Sequence, residues 1–173
     1  YEQRYEVIER NYLVFPQKSG TLQIEPLTFN GVMIDSQQRR RMRVNEASEP
    51  SSLRVMPPPS EFTGNDWLPA KSLEVSETWQ EDSKQIQVGD AITRTITISA
   101  LGLLGSALPP TPHPNSTTIK SYPDKAIVES LPHDSGAQAT RKESITLIAV
   151  NEGELTIPKI TIPWWDTINK VQR

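Results

Sequence analysis

The feature that most constrains this chain is an alternating apolar phrase, bent by a proline, that occurs twice. The earlier copy spans residues 20–29 and the later copy opens residues 153–165. One offset of 133 residues places glycine on glycine and aligns four apolar positions, which are Leu22 with Leu155, Ile24 with Ile157, Leu27 with Ile160, and Phe29 with Ile162. Apolar residues alternate on both sides of each proline, so each copy predicts two short strand segments joined by a bend. We interpret the repeat as the closing part of one β domain used twice.

The rest of the chain also shows strand patterns and no convincing helical period. β-branched and aromatic residues, or strict alternation, predict further strands before, between and after the two copies. Turns are predicted at Asn30-Gly31 and at Pro123-Asp124, and a loop over residues 132–137. Arg94 interrupts the apolar face of its strand and is predicted to reach the rim or to pair with a carboxylate. The further strand predictions cover residues 5–15, 53–56, 73–79, 85–88, 91–100, 117–122, 125–129 and 138–150.

Three consecutive prolines, Pro57 to Pro59, mark a domain boundary because they donate no backbone hydrogen bonds and form a stiff spacer. The predicted domains are the C-terminal part of a first immunoglobulin-like β domain (1–58), a proline-rich linker (59–66) and a second immunoglobulin-like β-sandwich (67–173). The predicted fold is therefore all-β: tandem immunoglobulin-like antiparallel β-sandwiches, the first incomplete. Incomplete sandwiches expose strand edges, which predicts self-association.

Composition excludes several kinds of function. The formal net charge of −3 favours no nucleic-acid partner, and the lack of cysteine excludes disulfides, thiolate catalysis and Cys-ligated zinc. The basic run from Arg39 to Arg43 is followed at once by Glu46 and Glu49, which favours a solvated loop or edge strand. No apolar run is long enough to cross a bilayer, and no signal peptide precedes Tyr1. We expect an internal piece of a longer protein.

Residues with catalytic or metal-binding chemistry are few and scattered. His113 and His133 sit in no ligand motif, and each is interpreted as a surface histidine. The acidic residues Glu77, Glu81 and Asp82 are interpreted as a solvated hairpin region, since nothing selects one as an acid over another as a base. The sequence therefore predicts no catalytic residue, no cofactor and no metal site.

The four tryptophans are the remaining candidates for a functional surface. Adjacent Trp164 and Trp165 must point to opposite faces of a continuing strand, so one fills the core and the other lies at a surface or joint. Core and domain-joint packing is the favoured interpretation. The alternative is an exposed aromatic surface, formed by Trp67, Trp164 and Trp165, that stacks on sugar rings or contacts a protein.

Four stretches together resemble the BatD oxygen-tolerance family of bacterial envelope proteins. They are residues 15–22 (FPQKSGTL), 67–70 (WLPA), 88–96 (VGDAITRTI) and 162–165 (IPWW). The resemblance implies a membrane-anchored parent protein with periplasmic β domains and no catalytic residues. It also implies partners among von Willebrand factor A domain proteins (BatA and BatB) and, indirectly, a MoxR-type ATPase.

These features lead to two functional hypotheses. The first is a non-enzymatic periplasmic scaffold or adaptor, linked to oxygen tolerance, whose parent protein is anchored in the inner membrane. The alternative is a carbohydrate-binding module that uses a tryptophan platform. In both, the chain acts through its surface.

Overall fold

The computed structural model describes residues 7–35, 40–80, 85–154, 156–157 and 159–173. Over those residues the regular structure consists of twelve strands and one 3-10 turn at Gly105–Ala107. The all-β prediction is thereby confirmed. The chain divides into two compact units, Tyr1–Pro59 and Ser60–Arg173. Among the described residues, no helix has the length and apolarity needed to cross a membrane.

The first unit contains one long antiparallel ribbon, which we call the ribbon, built from two ladders in succession. Strand β1 (Gly20–Ile24) pairs with β4 (Ser51–Val55), and β2 (Thr28–Asp35) pairs with β3 (Arg40–Ala47). The ladders are interrupted where Pro26 faces the segment containing Pro50, and proline has no amide hydrogen to donate. Leu27 and Ser48 bridge the interruption, because the Ser48 amide donates to the Leu27 carbonyl and the Leu27 amide donates to the Ser48 hydroxyl, both at 2.9 Å.

Two predictions for the first unit are confirmed: β4 covers most of the strand predicted over residues 53–56, and β3 is the exposed strand predicted in the basic segment. Two others are wrong. The strand predicted over residues 5–15 is absent from residues 7–15, whose β-forming side chains have no ladder partner among the described residues, and residues 5 and 6 lie outside the described part. Asn30-Gly31 lies inside β2 and not at a turn. The ring of Phe29 lies 2.9 Å from where a Cβ of Gly31 would be, so the glycine makes room for an aromatic ring.

The second unit is built on a five-stranded antiparallel sheet. Its order is β6 (Ser72–Trp79), β7 (Ala91–Leu101) and β10 (Gly136–Ala149), and both β8 and β9 pair with the outer edge of β10. A small sheet, β12-β11-β5, accompanies it. The remaining bounds are β5 (Pro69–Ala70), β8 (Ile119–Pro123), β9 (Ile127–His133), β11 (Trp165–Asp166) and β12 (Val171–Gln172).

The core of the second unit lies on one face of the large sheet. Alternate residues of β7 and β10 are buried there, as the sequence pattern of residues 91–100 predicts. Leu68 and Ala70, around β5, join the same cluster, so the small sheet shares the core. The opposite face carries threonine and serine, and the hydroxyls of Thr95 and Ser144 lie 3.1 Å apart. The buried cluster comprises Leu68, Ala70, Ile96, Ile98, Ala100, Leu103, Leu108, Ile119, Ala139, Ile145 and Leu147.

The later copy of the repeated phrase is the main correction. Leu155 and Pro158 lie outside the described residues, and the described residues of 153–164 form no strand. Pro163 removes a ladder donor, but Ile157, Ile160, Ile162 and Trp164 still pack against the core. The alternation over residues 156–162 therefore reflects packing of its apolar side chains on the core without a ladder, and strand pairing begins at β11.

Smaller corrections concern the ends of elements. Residues 85–87 form no strand, and the predicted loop over 132–137 is a tight hairpin in which Gly136 pairs with His133. The predicted linker over 59–66 is packed from Ser60 onward within the second unit. There the amide of Thr63 donates to the Gln172 side-chain oxygen at 2.7 Å. The division between the two units falls directly after the three prolines, and the residues that follow it have structural contacts.

Candidate functional site

A buried arginine lies in the apolar face of the large sheet. Arg94 on β7 is 2% exposed, and its Nη2 donates to Glu77 Oε2 on β6 at 2.7 Å. The indole N–H of Trp79 donates to the other Glu77 oxygen, and the Arg94 guanidinium lies 5.6 Å from the Trp79 ring centroid. The Arg94 hydrogen bond, followed by that from Trp79, lowers the pKa of Glu77 against the effect of burial. The expected pairing of Arg94 with a carboxylate is therefore confirmed.

A second ionic group ties a proline-rich loop to the sheet. Glu143 on β10 accepts the Thr111 amide at 2.9 Å and also the Thr111 hydroxyl, while Arg141 Nε donates to it at 2.7 Å. Burial is the largest single effect on this carboxyl and opposes its ionisation. The hydrogen bonds from Thr111 and Arg141 together outweigh burial and lower the pKa of Glu143. The group fixes the loop and offers no free proton donor.

A third carboxylate organises the final turn. Asp166, on β11, accepts the amides of Ile168 and Asn169 at 3.0 and 2.8 Å, and the Arg173 guanidinium at 2.8 Å. The side-chain amide of Asn169 also donates to it at 2.7 Å, and this bond is the main cause of its strongly lowered pKa. Asp166 is 3% exposed, so it acts as the polar centre of the turn between β11 and β12.

The structure separates the three tryptophans that the sequence singled out. Trp67 and Trp165 lie together, with ring centroids 6.1 Å apart and ring planes tilted by 38°. Phe62 packs edge-on against Trp67 at 5.0 Å. Trp164 instead packs against the core, as expected for one member of an adjacent pair. The aromatic cluster of Phe62, Trp67 and Trp165 is thus only partly exposed, because Trp67 is 38% exposed whereas Phe62 and Trp165 are half-buried.

The predicted surface histidines are both exposed. His113 lies in the proline-rich loop, and His133 ends β9, where its Nδ1 accepts the Ser135 amide at 3.0 Å. In the described part of the chain, no three His, Asp or Glu side chains gather in a way that suits a metal ion. Of the acidic residues considered together, Glu77 is committed to Arg94, and Glu81 and Asp82 lie outside the described residues.

The ribbon exposes several large apolar side chains. Met33 and Met42 face each other across the β2–β3 ladder and are about half exposed. Val32 and Ile34 lie on the other face, at 61% and 65% exposure. Over the described residues, β1 to β4 pair only with one another, so both edges of the ribbon are open.

No family model, curated protein or solved structure matched this chain.

Proposed function

We propose that this chain is a non-enzymatic interaction module that recruits a partner protein through its ribbon. The observation that carries the proposal is a two-stranded ladder with apolar side chains on both faces and open edges. An isolated two-stranded hairpin is marginally stable in water, and a third strand or a packed face stabilises it. A partner chain supplies both.

The edges of the ribbon explain how a partner is held. A partner segment in extended conformation adds a strand by main-chain hydrogen bonds, and side-chain contacts on the two faces then give specificity. The described strands β1 and β4 form a five-residue ladder and β2 and β3 an eight-residue ladder, long enough for such pairing.

The faces of the ribbon indicate the chemistry of the partner. Val32 and Ile34 share a face with Arg41 and Arg43, which lie opposite them in the β2–β3 register. A surface with an apolar centre and an acidic rim complements this face. Fully burying an aliphatic side chain of this size stabilises a complex by about 1.5–3 kcal/mol before the entropic cost of association.

The titratable groups support a non-enzymatic role. The carboxyl groups of Glu77, Glu143 and Asp166 all have lowered pKa values, and each is bound to structural partners. A general acid needs a raised pKa near the working pH, and these groups are tuned in the opposite direction. Their partners lie within the folded unit, which assigns them to stability.

The resemblance to the BatD family supplies the identity of the proposed partner and compartment. It supports a von Willebrand factor A domain protein (BatA or BatB) as the partner and a MoxR-type ATPase as an indirect one. The compartment is then the periplasm of a bacterial cell envelope, with the parent protein anchored in the inner membrane. The role in oxygen tolerance belongs to the same inference.

Carbohydrate binding is the second candidate, favoured by the contact between the exposed Trp67 and the half-buried Trp165. Sugar rings stack on flat aromatic faces, whereas these two rings are tilted by 38° and Phe62 occupies the edge of Trp67. The platform is therefore poorly shaped for stacking. A titration of tryptophan fluorescence with peptidoglycan fragments and polysaccharides tests it, and a saturable shift would favour this candidate over protein binding.

The experiment that tests the proposal measures binding of the purified chain to BatA-type and BatB-type A domains by calorimetry. The double variant Val32→Glu/Ile34→Glu should weaken binding at least about tenfold, because it places charge in the apolar centre of the contact. The matched control is Ile127→Glu/Leu131→Glu, a similarly exposed pair on β9 of the second unit, which should bind as the wild type does. Absence of binding to either A domain would remove the partner. Equal weakening by both double variants would remove the ribbon as the binding surface.

A further inference from the structure

A cavity of about 310 Å³ lies beside the buried arginine of the second unit. Its apolar walls come from β6, β7 and the extended segment that follows residue 156. Val75 and Ile96 form one side, and Ile157 and Ile160 form the other. Two of the charged residues in its lining, Arg94 and Lys159, are cationic, and the third is Glu77.

The buried arginine has one donor without an acceptor. Arg94 Nη2 binds Glu77, but Arg94 Nε is buried and makes no hydrogen bond within the described part of the chain. Both Glu77 oxygens accept hydrogen bonds from other donors, Oε2 from Arg94 Nη2 and Oε1 from the Trp79 indole, and neither accepts one from Nε. A buried charged donor without a partner is costly, so native proteins rarely leave one unpaired.

The charged side chains that line the cavity carry a net charge of one positive unit, which one bound anion would neutralise. Glu77 neutralises one of the two cations, and the remaining positive charge belongs jointly to Arg94 and Lys159. A carboxylate accepts two or more hydrogen bonds and matches a guanidinium edge. The four aliphatic side chains of the walls would contact an alkyl group on that carboxylate.

We propose that this cavity binds the carboxylate of a small branched aliphatic acid. The carboxylate lies beside the Arg94 guanidinium and near the Lys159 ammonium, and a small displacement of the surrounding side chains on binding lets it accept the Nε hydrogen, which is buried in the free chain. The alkyl group packs between Val75, Ile96, Ile157 and Ile160. The cavity volume lies at the lower end of the range for ligand pockets, which favours a ligand of a few carbon atoms. Two sources share this chemistry: a free branched-chain acid, and the carboxyl end of a polypeptide whose last residue is aliphatic.

Nuclear magnetic resonance of the full chain labelled with ¹⁵N tests the proposal directly. The probes are 4-methylpentanoate and its neutral analogue 4-methylpentanamide, and the signals are the Arg94 Nε–H and the Trp79 indole N–H. We expect saturable shifts of both signals with the acid, with a dissociation constant of about millimolar, and far smaller shifts with the amide. Acetyl-Gly-Leu with a free carboxylate, compared with its carboxamide, distinguishes the sources. Tighter binding of the peptide acid assigns a polypeptide end, and tighter binding of 4-methylpentanoate assigns a free acid.

Lysine variants distinguish binding in this cavity from a general effect of positive charge on the protein surface. Lys159→Met should reduce the affinity for 4-methylpentanoate about tenfold, while Lys120→Met, an exposed residue of β8 outside the cavity, should leave it unchanged. Arg94→Met should abolish binding, and the Lys159 variant provides the test if the Arg94 variant folds poorly. Equal binding of acid and amide, no saturable shift at the highest soluble acid concentration, or equal losses in both lysine variants would overturn the proposal.

Discussion

Removing Glu77 should destabilise the second unit more than removing Arg94, its partner. The side chain of Arg94 is 3% exposed and that of Glu77 is 40% exposed. The Glu77→Ala variant therefore leaves a buried guanidinium with its Nη2 unpaired, next to a Nε that already lacks an acceptor among the described residues. The Arg94→Met variant leaves only a carboxylate that water reaches.

The two losses can be assigned rough magnitudes. Breaking a fully buried ion pair costs about 3–5 kcal/mol, and the exposure of Glu77 screens part of this, which gives about 2 kcal/mol for Glu77→Ala. Replacing the arginine with an apolar side chain of similar length is close to neutral, within about 1 kcal/mol. In the double variant the guanidinium is absent, so its stability should match that of Arg94→Met.

Urea unfolding monitored by tryptophan fluorescence is the suitable assay, because all four tryptophans lie in the second unit. The matched control is Glu74→Ala, an exposed glutamate of the same strand, which should change the free energy of unfolding by less than about 0.5 kcal/mol. A Glu77→Ala loss no larger than that of Glu74→Ala would refute the reasoning. So would an Arg94→Met loss that exceeds the Glu77→Ala loss.

Three further outcomes follow from the fold. The ionised form of Glu143 stabilises the second unit above the ordinary pKa of 4.5, and this contribution is lost as pH falls through the lowered pKa of the folded state. Glu143→Gln should therefore reduce the free energy of unfolding at pH 7, and in urea titrations that free energy should fall less steeply as the solution is acidified. The variant of an exposed residue, Glu129→Gln, should show neither effect. Leu147→Ala, at a fully buried position, should cost about 3 kcal/mol by the same assay, against less than about 0.5 kcal/mol for Leu131→Ala, which is 59% exposed. Sedimentation velocity should show self-association that rises with concentration and is reduced in Val32→Glu/Ile34→Glu; a monomer at every concentration would contradict pairing through open edges.

The sequence predicts best those strands in which the local alternation of side chains and the pairing with neighbouring strands favour the same structure. Residues 91–100 alternate strictly, and β7 is central, so local pattern and tertiary pairing favour the same structure. Residues 7–15 have the same β-forming composition but no ladder partner in the described residues, and sequence alone does not reveal that difference. β-propensity indicates how well a residue suits a sheet, but it does not show which strand, if any, will pair with that residue.

The repeated phrase shows how one pattern can produce two structures. In the earlier copy, Leu22 lies directly opposite Leu53 in a ladder. In the later copy, Ile160 and Ile162 pack on the core from an extended segment without strand pairing. Alternation indicates which side chains share one face: Leu22 and Ile24 in the earlier copy, and Ile160 and Ile162 in the later copy, are each less exposed than the residue between them. Only the partner of the backbone hydrogen bonds distinguishes them.

Only part of the candidate site could be predicted from the sequence. The interruption of an apolar face by Arg94 was a signal for a buried ion pair, because an unpaired guanidinium would be costly. The pairing of Thr111 with Glu143 left no such signal, since it joins positions 32 residues apart. Similarly, Trp67 and Trp165 were singled out, but their contact depends on the pairing of β5 with β11.

Hydrogen–deuterium exchange of the chain, alone and with an A domain of the BatA or BatB type, tests the central claim most directly. The claim predicts that amides of the ribbon, over β1 to β4, become protected when the partner is added, while those of β7 and β10 exchange slowly in both samples. Protection confined to the second unit, or a ribbon whose exchange is unchanged by a bound partner, would contradict it.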